Sequence, residues 1–178
     1  MVHVNAPAST RHRKRLAAGL LIFVVFPLAS AGYYFGYNVG TVRVLVVAPV
    51  VDGFSSLTVT FSGAEVKSAG ALTLSAWSPL GLSSDTLDLT KLQATGAAEV
   101  GVGKVAAGTY AQVRLGIGSA IGHLSGGGIA KVTAIPGALD LPLHIRAQGA
   151  LMLTLRLVVS QSGSDYYLDT VLAGVDEG

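Results

Sequence analysis

Residues 151–157 carry leucine at every second position, Leu151, Leu153, Leu155 and Leu157, with Thr154 and Arg156 between them. Successive side chains of an extended strand point to opposite faces, so this segment reads as a strand with one face in a core and one in water. Val113, Leu115 and Ile117 alternate with Gln112 and Arg114 in the same way. Such stretches recur after Gly40, bounded by Gly, Pro, Ser and Asp clusters. They predict strands at 41–48, 56–62, 64–68, 71–77, 110–117, 129–133, 141–147, 151–159 and 166–172, with turns at 51–53, 68–70, 126–128 and 162–164. Only residues 85–92 suit a helical turn, with Asp85 as its N-cap, which leaves a βαβ fold without helices. Turn signals about every ten residues favour an antiparallel β-sandwich over residues 40–176.

The segment before that domain has a different character. No charged residue occurs from Leu16 to Val42. As a helix rising ~1.5 Å per residue, residues 16–37 would cross a hydrocarbon core of ~30 Å. Arg11, Arg13, Lys14 and Arg15 stand directly before it. They would hold residues 1–15 in the cytoplasm, with Tyr33, Tyr34 and Tyr37 at the outer interface. Ala29, Ser30 and Ala31, just after Pro27, also form the small-x-small pattern of a signal-peptidase site, so the same residues read as a segment removed near Ala31. The first reading gives a single-pass membrane protein with lipid as a partner, the second a secreted one. Both place residues 40–176 outside the cytoplasm.

Composition excludes several classes. Of 178 residues 12% are charged, against ~25% in ordinary soluble proteins. The net charge of +2 comes from the four basic residues of the tail, since Val42 onward carries eight basic and ten acidic side chains. A slightly acidic domain is no nucleic-acid surface. The absence of cysteine removes disulfides, thiolate metal sites and cysteine nucleophiles.

The remaining motifs carry little chemistry. Gly116, Gly118 and Gly122 imitate a dinucleotide loop, but His123, Leu124 and Ser125 run into three glycines, so no helix opens to meet a pyrophosphate and a turn or bulge is expected. His123 and His144 would need to converge with a carboxylate such as Asp140 to hold a metal. No Gly-x-Ser-x-Gly elbow positions a serine nucleophile. Asp85, Asp88, Asp165 and Asp169 read as turn caps. No catalytic residue, metal or cofactor is expected, and the chain is expected not to be an enzyme. Trp77, Tyr110, Tyr166 and Tyr167 are the candidate ligand-binding residues, because exposed rings on a β-domain stack on sugars; core packing is the competing role. Arg43, Arg114, Arg146 and Arg156 fall in predicted strands and would decorate solvent faces.

One run of segments resembles a known family. Gly40, Thr41, Val42, Arg43 and Val44 lead to Ala48 and Pro49; Leu57 to Phe61 and Leu87 to Leu92 follow. Val105 to Leu115 then contains Ala107, Gly108, Thr109 and Tyr110 before an alternating strand with Arg114, and Tyr166 to Asp169 closes the pattern. Over roughly residues 40 to 175 this resembles domain of unknown function 4382, found in exported archaeal and bacterial proteins. The resemblance implies a prealbumin-like or carbohydrate-binding-like β-sandwich on the cell exterior, with no assigned activity and no catalytic residues. Where the family has Asp before Ala-Pro, this chain has Val47.

The expectation is therefore a membrane-anchored cell-surface structural or interaction module, contacting envelope proteins, glycans or further copies of itself. The alternatives are a carbohydrate- or metal-ion-binding surface domain, or a filament subunit completing an open sheet edge with a strand donated from residues 33–40.

Overall fold

A computed structural model describes residues 38–48, 51–70 and 77–178. The assigned tail 1–15 and segment 16–37 lie outside these, with Arg11, Arg13, Lys14, Arg15, Tyr33, Tyr34 and Tyr37. Among the described residues no helix is long and apolar enough to cross a membrane.

In chain order the elements are β1 (Val39–Val47), β2 (Phe54–Ser68), β3 (Trp77–Leu82), β4 (Thr86–Asp88), α1 (Leu89–Thr95), β5 (Ala97–Ala106), β6 (Gly108–Leu124), β7 (Ile129–Ala134), β8 (Leu139–Ile145), β9 (Ala150–Ser162) and β10 (Asp165–Glu177). Strand accounts for 74% of the described residues, so the mainly-β expectation holds. The sandwich does not. Hydrogen-bonded ladders run β2-β3-β5-β1-β9-β10-β7-β6, and β6 pairs back onto β2 over almost its whole length. The sheet thus closes on itself as an eight-stranded barrel, with β4 and β8 added beside β2 and β6. Nor is it wholly antiparallel, because β1 runs parallel to β9 and β7 parallel to β10.

Alternation explains the core but not the closure. Val42, Val44 and Val46 of β1 and the four leucines of β9 point inward and are buried. Eight strands enclose an interior that side chains alone can fill. A sandwich strand also buries every second residue, so the pattern is the same in both architectures. What differs is bending. In β2 the buried positions are Leu57, Val59 and Phe61, then Ala64 and Val66; the parity flips where Ser62 and, opposite it, Gly118 are left out of the β2–β6 register. Bulges of this kind bend a strand and raise its twist, which lets a sheet curl shut. The predicted strands 56–62 and 64–68 are therefore one bent strand, and Gly116 to Gly122 form neither a loop nor a turn but the bulged middle of β6.

Strand β5 had no alternating signal, because Gly101 and Gly103 interrupt it. A Cβ on Gly103 would stand 2.9 Å from the Leu80 side chain, so the close passage of β5 past β3 needs glycine there. The predicted strand 71–77 survives among the described residues only as Trp77, the first residue of β3.

The helix begins on Asp88 rather than Asp85. Asp88 Oδ1 accepts hydrogen bonds from the Thr90 amide at 3.1 Å and the Thr90 hydroxyl at 2.7 Å, while the Asp85 carbonyl accepts from the Phe61 amide. Leu89 and Leu92 are buried, which anchors α1 to the barrel. Burial pushes the Asp88 carboxyl up, but the bonds from Thr90, the Leu57 backbone and the charge of Lys91 outweigh it and hold it below its ordinary value. A lowered native pKa stabilises the fold above the unfolded carboxyl's pKa of about 3.9, and that contribution fades as pH falls through the native value. Asp88→Ala should cost about 1 kcal/mol at neutral pH. The gap to wild type in denaturant unfolding should narrow below about pH 4; a gap independent of pH would contradict the charged cap.

Candidate functional site

The four candidate aromatics do not gather. Tyr110 is 4% exposed, its hydroxyl donates to the Ala106 carbonyl at 2.9 Å, and burial raises its pKa. Tyr166 is half-buried and meets Phe54 edge to face, with centroids 4.9 Å apart at 70°. Tyr110 lies across from Ser68 at the end of β2, whereas Phe54 begins it, so the two tyrosines are separated by most of a 15-residue strand, about 45 Å of extended chain. Tyr167, half-buried, lies across from Ser160 and Thr133.

Trp77 is half-buried, with the Arg114 guanidinium 4.3 Å and the Lys67 ammonium 5.7 Å from its ring centre. Arg114 also donates through Nε to Glu65. A ring with two cations over it is a cation–π cluster on the barrel wall. Arg43 likewise pairs with Glu99 at 3.5 Å.

Beside this cluster lies a half-open groove of about 890 Å³, walled by Glu65, Pro79, Leu82, Arg114, Ile117 and residues 134–138. Its charged side chains, Glu65 and Arg114, are engaged with each other. His123 lies across from Ser56 and Ile129, while His144 lies across from Thr109 near the opposite end of β6, so the topology separates the histidines. Among the described residues no three of His, Asp or Glu converge as metal ligands.

Sequence reasoning raised an open sheet edge as an alternative but could not place it; the structure puts one on β10, in the barrel wall. Strand β10 pairs with β7 through only three residues, Tyr166, Tyr167 and Leu168, and the Ile135 amide then donates to the Leu168 carbonyl. Beyond that point β8 stays on β6 and β10 stays on β9, with no ladder between them among the described residues. The far side of β10 from Asp169 to Glu177 is therefore unpaired there. The Thr170 amide turns instead to its neighbour's carboxylate, Asp169 Oδ1, at 2.7 Å.

Proteins ordinarily blunt such edges with charge or proline. Strand β8 does so with Pro142. Strand β10 carries charge at Asp169, Asp176 and Glu177, but the six residues between Asp169 and Asp176, from Thr170 to Val175, have none. Val171, Leu172 and Val175 are 37%, 38% and 40% exposed, and Met152 on β9 is exposed too. The Gly178 amide donates to Ala150 on β9, so by alternation Val175 and Glu177 aim their amides outward. The early part of this strand was legible as alternation; its unpaired side follows from strand order, which no single segment encodes.

The described residues thus form a closed β-barrel that carries an exposed apolar sheet edge and a half-open groove. The chain belongs to the family described as Domain of unknown function (DUF4382), which matches residues 39–171, from the start of β1 into β10. The expected family membership is thus shown. No curated protein matches the chain.

Proposed function

We propose that this protein is a non-enzymatic interaction module displayed outside the cytoplasm, anchored by residues 16–37 or released near Ala31, whose contact element is the open edge of β10. The observation that carries the reading is the coincidence of unpaired backbone with exposed Val171, Leu172 and Val175 on one strand. Strand addition to such an edge gains affinity from main-chain hydrogen bonds and specificity from alternate side chains. The engaged Glu65–Arg114 pair and the dispersed histidines support a role without catalysis.

Location and contact are tested together. The natural chain has no cysteine, so Ser164→Cys, in the exposed turn between β9 and β10, gives a single reporter thiol. A membrane-impermeant maleimide should label it in intact cells; labelling only after lysis would place the domain inside. In native extracts the wild-type protein should sediment above its monomer mass. Val175→Pro removes an outward amide while sparing the β9 ladder and should return it to monomer. Equal sedimentation of the two at monomer mass would remove the contact role.

A further inference from the structure

Resting on that reading, we infer that the occupant of the β10 edge is a second copy of this chain, which adds residues 33–38 as a strand. Residues 33–38, Tyr33, Tyr34, Phe35, Gly36, Tyr37 and Asn38, immediately precede β1; in the secreted reading they follow the cleavage near Ala31, and in the anchored reading they are the outer end of the segment 16–37, so that pairing leaves residues 16–32, ~26 Å of helix, to span the membrane. Tyr33, Phe35 and Tyr37 alternate with Tyr34, Gly36 and Asn38, so as an extended strand one face would be wholly aromatic. The open, uncapped stretch of β10, residues 172–177, is also six residues long, and each stretch would span about 20 Å. The donor segment is uncharged, which suits an edge whose ends carry Asp169, Asp176 and Glu177. Antiparallel pairing of two β10 edges over 169–177, centred on Ala173, would instead set Asp169 of each copy against Glu177 of the other, an unfavourable cross-strand arrangement.

Geometry within the barrel favours a donor from another copy over the chain's own segment. The Val39 carbonyl accepts from the Gln148 amide, and the Thr41 amide donates to the Gly149 carbonyl at 2.9 Å, so the start of β1 is fixed beside β9. Strand β9 separates β1 from β10. Two strand spacings, about 10 Å, would consume roughly three of the six residues before the chain's own segment reached the edge. A donor from a neighbour loses none. Because donor and acceptor are different surfaces, the contact is heterologous, and repetition gives a ring or an open filament.

The full-length chain supplies the test. Two differently tagged versions, one bearing Tyr34→Cys or Phe35→Cys and the other Leu172→Cys or Val175→Cys, are expressed together and oxidised in native extracts. A disulfide joining the two tags is expected for at least one pairing. Adding Val171→Pro would also break the β9 ladder, so the edge control is Glu177→Pro, which should lower the yield of the joined product about tenfold while the barrel still unfolds cooperatively. If no pairing joins the tags while the β10 amides exchange slowly in the same extracts, another partner covers the edge, and this inference fails while the interaction reading stands. A link formed only within one chain carrying both cysteines would show self-capping and likewise overturn it. Absence of both linkage and amide protection would overturn both.

Discussion

Gly40→Ala is expected to destabilise the barrel by about 3 kcal/mol, near the upper end of ordinary overpacking costs. A Cβ at Gly40 would stand 2.5 Å from Ile145 Cγ2 and 2.6 Å from the Arg146 carbonyl oxygen. The side chain has some freedom to turn away, but the carbonyl belongs to the backbone that links β8 to β9 and cannot yield without moving both strands. For a domain of this size the change corresponds to a fall in melting temperature of about 10 °C. Gly63→Ala provides the comparison, because nothing stands within 4 Å of a Cβ there and its backbone is not left-handed. That variant should stay within about 0.5 kcal/mol of wild type. Equal effects at the two glycines would mean that β1 and the end of β8 do not approach as closely as the barrel requires.

Leu155→Ala should cost about 2–5 kcal/mol. Leu155 is fully buried in the middle of β9, which is flanked by β1 on one side and β10 on the other. Truncation leaves a void that paired strands on both sides cannot collapse to fill. Met152, on the same strand but pointing outward and partly exposed, should lose less than about 1 kcal/mol on the same change. Chemical denaturation with a common slope separates the two cases. A reversed order would mean that the register of β9 is shifted by one residue, which would turn every one of its side chains to the opposite face.

These two sites also mark how far the sequence alone could be read. The inward leucines of β9 and valines of β1 were visible because a strand with one buried face writes its burial as alternation. The class of fold and the position of several strands followed from that. Closure did not, because whether β6 returns to β2 depends on bulges at Ser62 and Gly118, which flip the side-chain parity and look locally like a break between two strands. Strand β5 was hidden for a related reason: glycines that allow close passage erase the β-branched signal. The N-cap was displaced from Asp85 to Asp88, since each aspartate is followed within two residues by a leucine and only the pairing of β4 with β2 decides where the helix begins. Among the candidate ligand residues, the sequence could not show that Tyr110 spends its hydroxyl on Ala106 or that Trp77 sits beneath two cations, because those partners come from distant strands. The open edge of β10 was beyond reach for the same reason.

Amide hydrogen exchange on β10 tests the central claim most directly, comparing the full-length protein in its native extract with the same protein diluted to monomer. Edge amides open to solvent exchange far faster than those held in a ladder. The account predicts that the outward amides of Val175 and Glu177 are protected in the native extract and lose that protection on dilution, while the Gly174 and Asp176 amides, turned to β9, stay protected in both. Rapid exchange at Val175 and Glu177 in both samples would contradict it, because the edge would then be bare where the protein works.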